Sequence, residues 1–208
     1  MDILIGLGSA GYKLTKAFAK HPQYKAISID HEEGSTIRVP KYDHPEDYEK
    51  NFPPIDKHLK DVDGEILFIV AGSSIISGAA LRILEQLHGK GNVSVLYIHP
   101  DVATLSDTRR LQTNVVFGVL QQYARSGMIN TLWLLSNAQI EQFVGEGSIE
   151  NYYDNIDNAI INFISNYGYF ANTEPFMGSH HEPKEISRIR TVSLGDIEND
   201  QENLYFLL

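Results

Sequence analysis

The first eleven residues, MDILIGLGSAG, constrain the fold more than any other stretch of this sequence. An apolar run that predicts a β-strand leads directly into glycines with the spacing G-x-G-x-x-G. Glycines so spaced let a chain leave a strand, turn tightly, bring backbone N–H groups close to phosphate oxygens and begin a helix whose positive end faces the anion. We therefore expect a first phosphate-binding loop made of Gly6, Gly8, Ser9, Ala10 and Gly11.

Charge and composition narrow the class of protein. The 208 residues carry a formal net charge of −10 and include no cysteine. Nucleic-acid-binding proteins usually present a basic face, so the acidic balance argues against a DNA or RNA partner. The lack of cysteine excludes disulfides and thiolate metal ligands. No apolar run approaches the ~18 residues of a membrane span, and the first strand begins without a signal peptide, so we expect a cytoplasmic protein.

The rest of the chain predicts alternating strands and helices. Apolar runs predict strands, and 3.6-residue periodicity predicts helices. The strands are expected at 24–30, 64–71, 92–99, 131–136 and 188–194, and the helices at 12–21, 79–88, 105–123 and 149–167. This order predicts a doubly wound, mostly parallel, Rossmann-like α/β sheet, whose ligand would lie at the carboxyl ends of the strands. We expect a nucleotide-binding domain over 1–170 and a C-terminal extension with an acidic tail over 171–208.

A charged, proline-containing stretch, 31–63, interrupts this pattern. It predicts a loop with one helical turn near Asp47 to Lys50 and a second short helix around Ile55 to Leu59. A loop of this length is often functional, as a lid or a phosphate-sensing segment, but it can also be an excursion over the surface. The sequence leaves both interpretations open.

A second junction of strand, small-residue loop and helix follows the strand 64–71. Its loop is GSSIISG, residues 72–78. Hydroxyl groups and a helix N-terminus at such a junction can bind an anion. The residues expected to line this second phosphate-binding loop are Gly72, Ser73, Ser74, Ser77 and Gly78.

Asp30 suggests one possible ligand. It ends the second predicted strand, about 20 residues beyond the first glycine loop, where dinucleotide-binding domains place a ribose-binding carboxylate. This position favours NAD(P). Acidic residues also commonly end parallel strands and cap the following segment, and that interpretation stays open. A Walker-type phosphate loop is excluded, because G-x-x-x-x-G-K-[ST] does not occur.

The stretch SIENYYDNIDNAI, residues 148–160, resembles the central helix of the tubulin/FtsZ family of GTP-binding proteins. In that family an aromatic ring stacks on guanine and, one helical turn later, an Asp or Asn hydrogen-bonds the base. Tyr153 and Asp157 occupy those two positions. Residues at i and i+4 share a helix face, and a carboxylate matches the paired N–H donors of guanine. The alternative for Tyr153 is a core aromatic residue on an apolar stripe.

The resemblance implies further roles. Asn137 looks like the family's second base-contacting residue, and Arg109 or Arg110 resembles the arginine that reaches ribose and phosphates. It implies GTP or GDP as ligand, with Mg²⁺ for turnover, and self-association, because a neighbouring subunit activates hydrolysis in the family. Glu174 is the candidate catalytic acid acting in trans. The run His180 to Glu182 is interpreted as a solvated loop, and no metal site is predicted.

The sequence also departs from the family pattern. The second loop keeps only the first and last of the family's glycines and has Ile75 and Ile76 between them. Glu174 stands alone where the family has a pair of acids, and the sequence stops before the family's second domain. We therefore expect guanine-nucleotide binding with weak or assembly-dependent GTP hydrolysis. The alternatives are an NAD(P)-binding Rossmann protein and a non-enzymatic assembly module that has lost its nucleotide.

Overall fold

A computed structural model describes residues 3–144, 152–174 and 186–192. The strands are β1 (Ile3–Leu7), β2 (Lys25–Asp30), β3 (Ile37–Arg38), β4 (Glu65–Ala71), β5 (Asn92–His99), β6 (Thr131–Ser136) and β7 (Ile189–Val192). The helices are α1 (Gly8–Phe18), α2 (Pro45–Asn51), α3 (Ala80–Leu87), α4 (Asp107–Ser126), α5 (Asn137–Val144) and α6 (Tyr152–Ala171), with short 3-10 helices at Ile75–Ala79 and Val102–Thr104.

All seven strands lie in one sheet, in the order β3-β2-β1-β4-β5-β6-β7, and every neighbouring pair is parallel. The predicted α/β class with a doubly wound, parallel sheet is confirmed. Both glycine loops follow neighbouring strands, since β1 pairs with β4. The carboxyl ends of these strands share one edge of the sheet, and that edge therefore brings the two loops together.

Apolar side chains cover both faces of the sheet, as expected for buried parallel strands. On one face α1, α5 and α6 pack through Leu14, Ile140, Ile156 and Ile160. On the other face α2, α3 and α4 contribute a separate cluster. Its helical members include Tyr48, Ile83, Leu84, Val116 and Leu120. Because helices are buried on both faces, α1 packs against α6 on one side of the sheet. On the other side, the second loop packs against α4.

Several predicted boundaries change in the structure. The first helix begins at Gly8 rather than at residue 12, because the glycine turn itself forms its first turn. The predicted helix around 55–59 is wrong: Ile55 and Leu59 are buried, but the chain there forms turns. The sequence analysis missed β3 and α5. The predicted start of the last helix and the run 180–182 lie outside the described residues.

The stretch 31–63 is a packed part of the domain. Tyr48, Ile55, Leu59 and Val62 are buried in the core on the α3 side of the sheet. The backbone N–H of Ile55 donates to the side chain of Gln86 in α3, at 2.7 Å. These contacts make the stretch a layer over α3 and the second loop.

The C-terminal part of the chain also contributes to the sheet. Residues 189–192 form β7, which pairs with β6 at the edge and lies within the predicted strand 188–194. This strand falls inside the extension predicted over 171–208. Among the described helices, none combines the length and apolarity needed to cross a membrane.

Candidate functional site

The first glycine loop is built on direct backbone contact between β1 and α1. A Cβ placed on Gly6 would lie 2.2 Å from the carbonyl oxygen of Gly11, and one on Gly11 would lie 2.5 Å from the carbonyl carbon of Gly6. Any side chain at either position would push the helix off the strand. The two glycines therefore set how closely the helix N-terminus approaches the end of β1, as the motif predicts.

Gly8 opens α1 with a φ of 73°, in the left-handed region that favours glycine. The residue before this helix, Leu7, makes no side-chain cap, and the first turn of the helix contains no acidic residue. Ser9 is exposed and Ala10 is half-buried. The partial positive charge at this helix N-terminus is therefore not offset by a carboxylate of its own first turn, which suits an anion.

The second loop contacts the first at Gly8. A Cβ on Gly8 would lie 2.7 Å from Cγ2 of Ile76 and 3.5 Å from the hydroxyl oxygen of Ser74. Ile76 is only 2% exposed. The structure thus brings the two predicted phosphate loops together, with an isoleucine methyl group between them.

The second loop is also bonded within itself. The backbone N–H and the hydroxyl of Ser77 both donate to the carbonyl oxygen of Ser74, at 3.0 and 2.6 Å. The side-chain amide of Gln112 in α4 donates to the same carbonyl oxygen and to the Ser77 hydroxyl, each at 3.1 Å. Sequence reasoning missed Gln112, because nothing local marks a contact between positions so far apart.

The loop's two remaining glycines serve packing. A Cβ on Gly72 would lie 2.1 Å from the phenol oxygen of Tyr97, whose pKa burial raises. A Cβ on Gly78 would lie 2.2 Å from the carbonyl oxygen of Pro45 in α2. Ser73 and Ser74 are half-buried. Of the hydroxyls predicted to bind phosphate here, that of Ser77 is engaged inside the loop.

Asp157 lies in α6, on the side that faces α1. Its carboxylate is 3.8 Å from the ammonium of Lys13. Lys13 follows Gly8 by about 7.5 Å along the α1 axis. Burial raises the pKa of Asp157, Lys13 acts to lower it, and Asp154 acts to raise it. Tyr153 lies one turn earlier in the same helix, with its side chain outside the described part of the structure. Sequence reasoning did not identify Lys13.

Three other predicted residues lie at the same edge of the sheet. Asn137 is the first residue of α5, directly after β6, and is half-buried. Arg109 and Arg110 are exposed in the first turn of α4. The Arg110 guanidinium donates to the carbonyl of Val102 at 3.3 Å and lies 3.8 Å from the carboxylate of Asp107. Their contacts with a nucleotide stay a prediction.

Asp30 ends β2, as predicted, but its side chain is fully buried. One carboxylate oxygen accepts the backbone N–H of His31 at 2.8 Å and lies 2.9 Å from the His31 ring nitrogen. The other oxygen has no hydrogen-bond donor among the described residues. A ribose would have to reach this carboxylate past the residues that bury it, and the NAD(P) alternative stays a prediction.

Glu174 lies at the opposite edge of the sheet. It is exposed and follows α6 by three residues. Near that end of α6, a Cβ on Gly168 would lie 3.5 Å from the hydroxyl of Tyr24, just before β2 begins. The length of β2, about 20 Å at ~3.3 Å per residue, separates this edge from the glycine loops. Glu174 therefore follows the end of α6 that lies away from the glycine loops. In the described parts of the chain, no three His, Cys, Asp or Glu side chains cluster as metal ligands.

Comparison with known proteins identifies the fold. FtsZ from M. jannaschii, solved as an empty dimer, superposes with a TM-score of 0.63 and 13% identity over 85% of this chain. TubZ from Bacillus thuringiensis serovar israelensis superposes as a GTPγS-form protofilament with 0.62 and 11% over 80%, and as GDP-form protofilaments with 0.55 and 11% over 86%. No profile of a known protein family matches the chain, and no curated protein matches it.

The match covers part of each of these proteins. The chain spans 57% of the FtsZ chain and 56% of the TubZ chain. At this level of identity the similarity shows the fold alone. The chain has the fold of the tubulin/FtsZ GTPase domain, in a divergent form, which confirms the resemblance inferred from the sequence at the level of the fold.

Proposed function

We propose that this chain is a guanine-nucleotide-binding domain of the tubulin/FtsZ type that self-associates and hydrolyses GTP slowly, or only when assembled. One observation carries the proposal: α1 brings a candidate phosphate site and a candidate base site together. Its uncapped N-terminus forms the glycine loop, and Lys13 on its flank contacts Asp157 of α6. A nucleotide lying along this helix end would have its phosphates at Gly8 and its base toward α6.

The chemistry of Asp157 supports guanine over adenine. An ionised carboxylate only accepts hydrogen bonds, and guanine offers a pair of N–H donors on one edge where adenine does not. The half-buried position of Asp157, which raises its pKa, also strengthens any hydrogen bond it accepts, since water competes less there. Asn137, at the same edge of the sheet, is available as a second polar contact to the base.

The position of Glu174 supports hydrolysis in trans. This acid lies at the edge opposite the glycine loops, so a copy stacked head to tail would bring its Glu174 toward the loops of its neighbour. Water would then attack the γ-phosphate, with backbone N–H groups and Mg²⁺ stabilising the developing charge. The solved structures that share this fold include TubZ protofilaments, which favours head-to-tail association. A lone protomer should therefore turn over slowly.

Ligand-dependent melting tests the binding proposal. A ligand that binds only the native state raises the melting temperature, so GTP, GDP, ATP and NAD are compared at millimolar concentration. We expect stabilisation by the guanine nucleotides alone, lost in Asp157→Ala. The matched control is Asp154→Ala, an exposed acid on the same helix, which should keep the stabilisation.

Other outcomes of this experiment contradict the proposal. Stabilisation by NAD that is lost in Asp30→Ala would replace it with the dinucleotide alternative. Lack of stabilisation by all four ligands would favour an assembly module without a nucleotide. Equal stabilisation by ATP and GTP would remove the role given to Asp157.

Concentration dependence tests the hydrolysis proposal. If a neighbour activates the site, the GTPase rate per protomer should rise with protein concentration, and Glu174→Ala should remove that rise. Asp154→Ala again serves as the control. A rate above about one per minute in dilute, unassembled protein would contradict assembly dependence.

A further inference from the structure

The two glycine loops meet where Ile76 lies beside Gly8, and this contact affects how a phosphate could lie between them. Two contacts define the nucleotide's path: Lys13 of α1 meets Asp157 of α6, and Gly8 at the start of α1 meets Ile76 of the second loop. A base at Asp157 puts the phosphate nearest the sugar at the first loop. The phosphate farthest from the base would then have to enter between the first loop and the second.

Ile76 lies at that point. Its Cγ2 is 2.7 Å from the position of a Cβ on Gly8, and Ile76 is part of the apolar core beneath the second loop. A side-chain methyl group therefore crowds the contact between the two loops. Placing a charged phosphate against it would also remove the phosphate's hydration without supplying a hydrogen bond.

The N–H and the hydroxyl of Ser77 both donate to the carbonyl of Ser74, and Gln112 holds this arrangement from α4. To bind a phosphate with these donors, the loop would first have to break its own hydrogen bonds. These donors are therefore satisfied without a ligand, in contrast to the helix end at Gly8, which Leu7 does not cap.

We propose that Ile76 is a specificity-determining residue that weakens binding of the terminal phosphate of a nucleoside triphosphate, so that a lone protomer binds guanosine diphosphate or monophosphate more tightly than GTP. The inference rests on the proposed function, because it needs a guanine nucleotide at the first loop. It also accounts for slow hydrolysis by the chain itself, since the scissile phosphate of GTP would be the group bound weakly.

Isothermal titration calorimetry of the whole chain with GTP, GDP and GMP, each with Mg²⁺, tests the selectivity. Wild-type protein should bind GDP at least about tenfold more tightly than GTP, the size of effect expected when one charged group loses its hydrogen bonds. Ile76→Gly should bring the two dissociation constants to within about threefold of each other by tightening GTP, while the GDP constant changes little.

Ile75→Gly is the matched control. It makes the same change one residue away, on a half-buried side chain, and should keep the wild-type preference for GDP. Because Ile76 is a core residue, Ile76→Ala provides a milder variant, and a melting curve without ligand establishes that each variant folds. The wild-type ratio of GDP to GTP binding tests the proposal even if neither variant folds.

The outcomes separate this inference from the proposed function. GTP binding to wild-type protein as tightly as GDP would overturn the role of Ile76 and leave guanine-nucleotide binding intact. An unchanged GDP preference in folded Ile76→Gly would also overturn it. Lack of binding by all three guanine nucleotides, in wild type and in Ile76→Gly alike, would refute the proposed function itself.

Discussion

Each of the two glycine loops follows one of two neighbouring strands, but the loops differ in their backbone contacts and hydrogen bonds. In the first loop, glycines allow the backbone of α1 to contact β1, and the helix N-terminus has no side-chain cap. In the second loop, serines and isoleucines stand between Gly72 and Gly78, and the backbone forms a 3-10 helix, Ile75–Ala79. The N–H groups that begin α1 have no side-chain cap from Leu7, whereas the N–H and hydroxyl of Ser77 bond within the second loop.

The difference teaches that the glycines of the second loop are explained by packing. Gly72 and Gly78 leave room for Tyr97 and Pro45, which pack against them. Between these two glycines, Ile76 joins the apolar core.

Gly6→Ala should give the largest effect on stability. The added Cβ would lie 2.2 Å from the carbonyl oxygen of Gly11, so α1 must move away from β1, at a cost of about 3 kcal/mol or more. The control is Gly118→Ala in α4, where a Cβ meets nothing within 4 Å and should instead stabilise the protein by about 0.5 to 1 kcal/mol. Urea unfolding of both variants measures the difference, and a similar result for the two would show that the first loop tolerates a side chain.

Gln112→Ala should have the next largest effect, since it removes two hydrogen bonds that hold the second loop. We expect a loss of about 1 to 2 kcal/mol in the free energy of unfolding, and faster amide exchange confined to residues 73–79. Gln122→Ala, an exposed residue on the same helix, is the control. If both variants unfold alike, the second loop does not depend on α4.

Ser77→Ala should cost about 1 kcal/mol, because its hydroxyl bridges the Ser74 carbonyl and the Gln112 amide. Ser73→Ala, at a half-buried position in the same loop, should stay within about 0.5 kcal/mol of wild type. Thermal unfolding without ligand provides the measurement. Equal melting temperatures for the two variants would contradict the assignment of the Ser77 hydroxyl to the loop.

The sequence predicted the order of the main elements because apolar runs and 3.6-residue periodicity are local signals. Both glycine loops and the helix carrying Asp157 follow from such signals. A strand of two residues, β3, is too short to show a pattern. The spacing of Ile55 and Leu59 is helical, but their burial is achieved by turns instead, because tertiary packing decides the conformation of so short a segment.

The residues of the candidate site could be named from the sequence, but the contacts between them could not. The pairing of Ile76 with Gly8 joins residues 68 positions apart in the sequence, and that of Lys13 with Asp157 joins residues still farther apart. Neither contact has a local signature. The isoleucines were visible as a departure from a glycine-rich loop, but only the fold shows that one of them touches the other loop.

Asp157→Asn should produce the smallest effect on stability, and this effect should depend on pH. It tests the part of the candidate site formed by α1 and α6, on the side of the first loop. Burial raises the pKa of Asp157, so the folded protein binds that proton more tightly than the unfolded chain, whose Asp pKa is about 3.9. The wild-type carboxylate therefore reduces stability at neutral pH, and this penalty disappears as the pH falls below about 4. Asparagine has a similar shape and stays neutral, so the variant should melt slightly higher than wild type at pH 7 and equally at low pH.

Asp154→Asn, an exposed position, should show a smaller difference. A variant less stable than wild type at pH 7 would mean that the contact with Lys13 outweighs burial, and Asp157 would then be a structural residue rather than a carboxylate kept at a cost for a ligand.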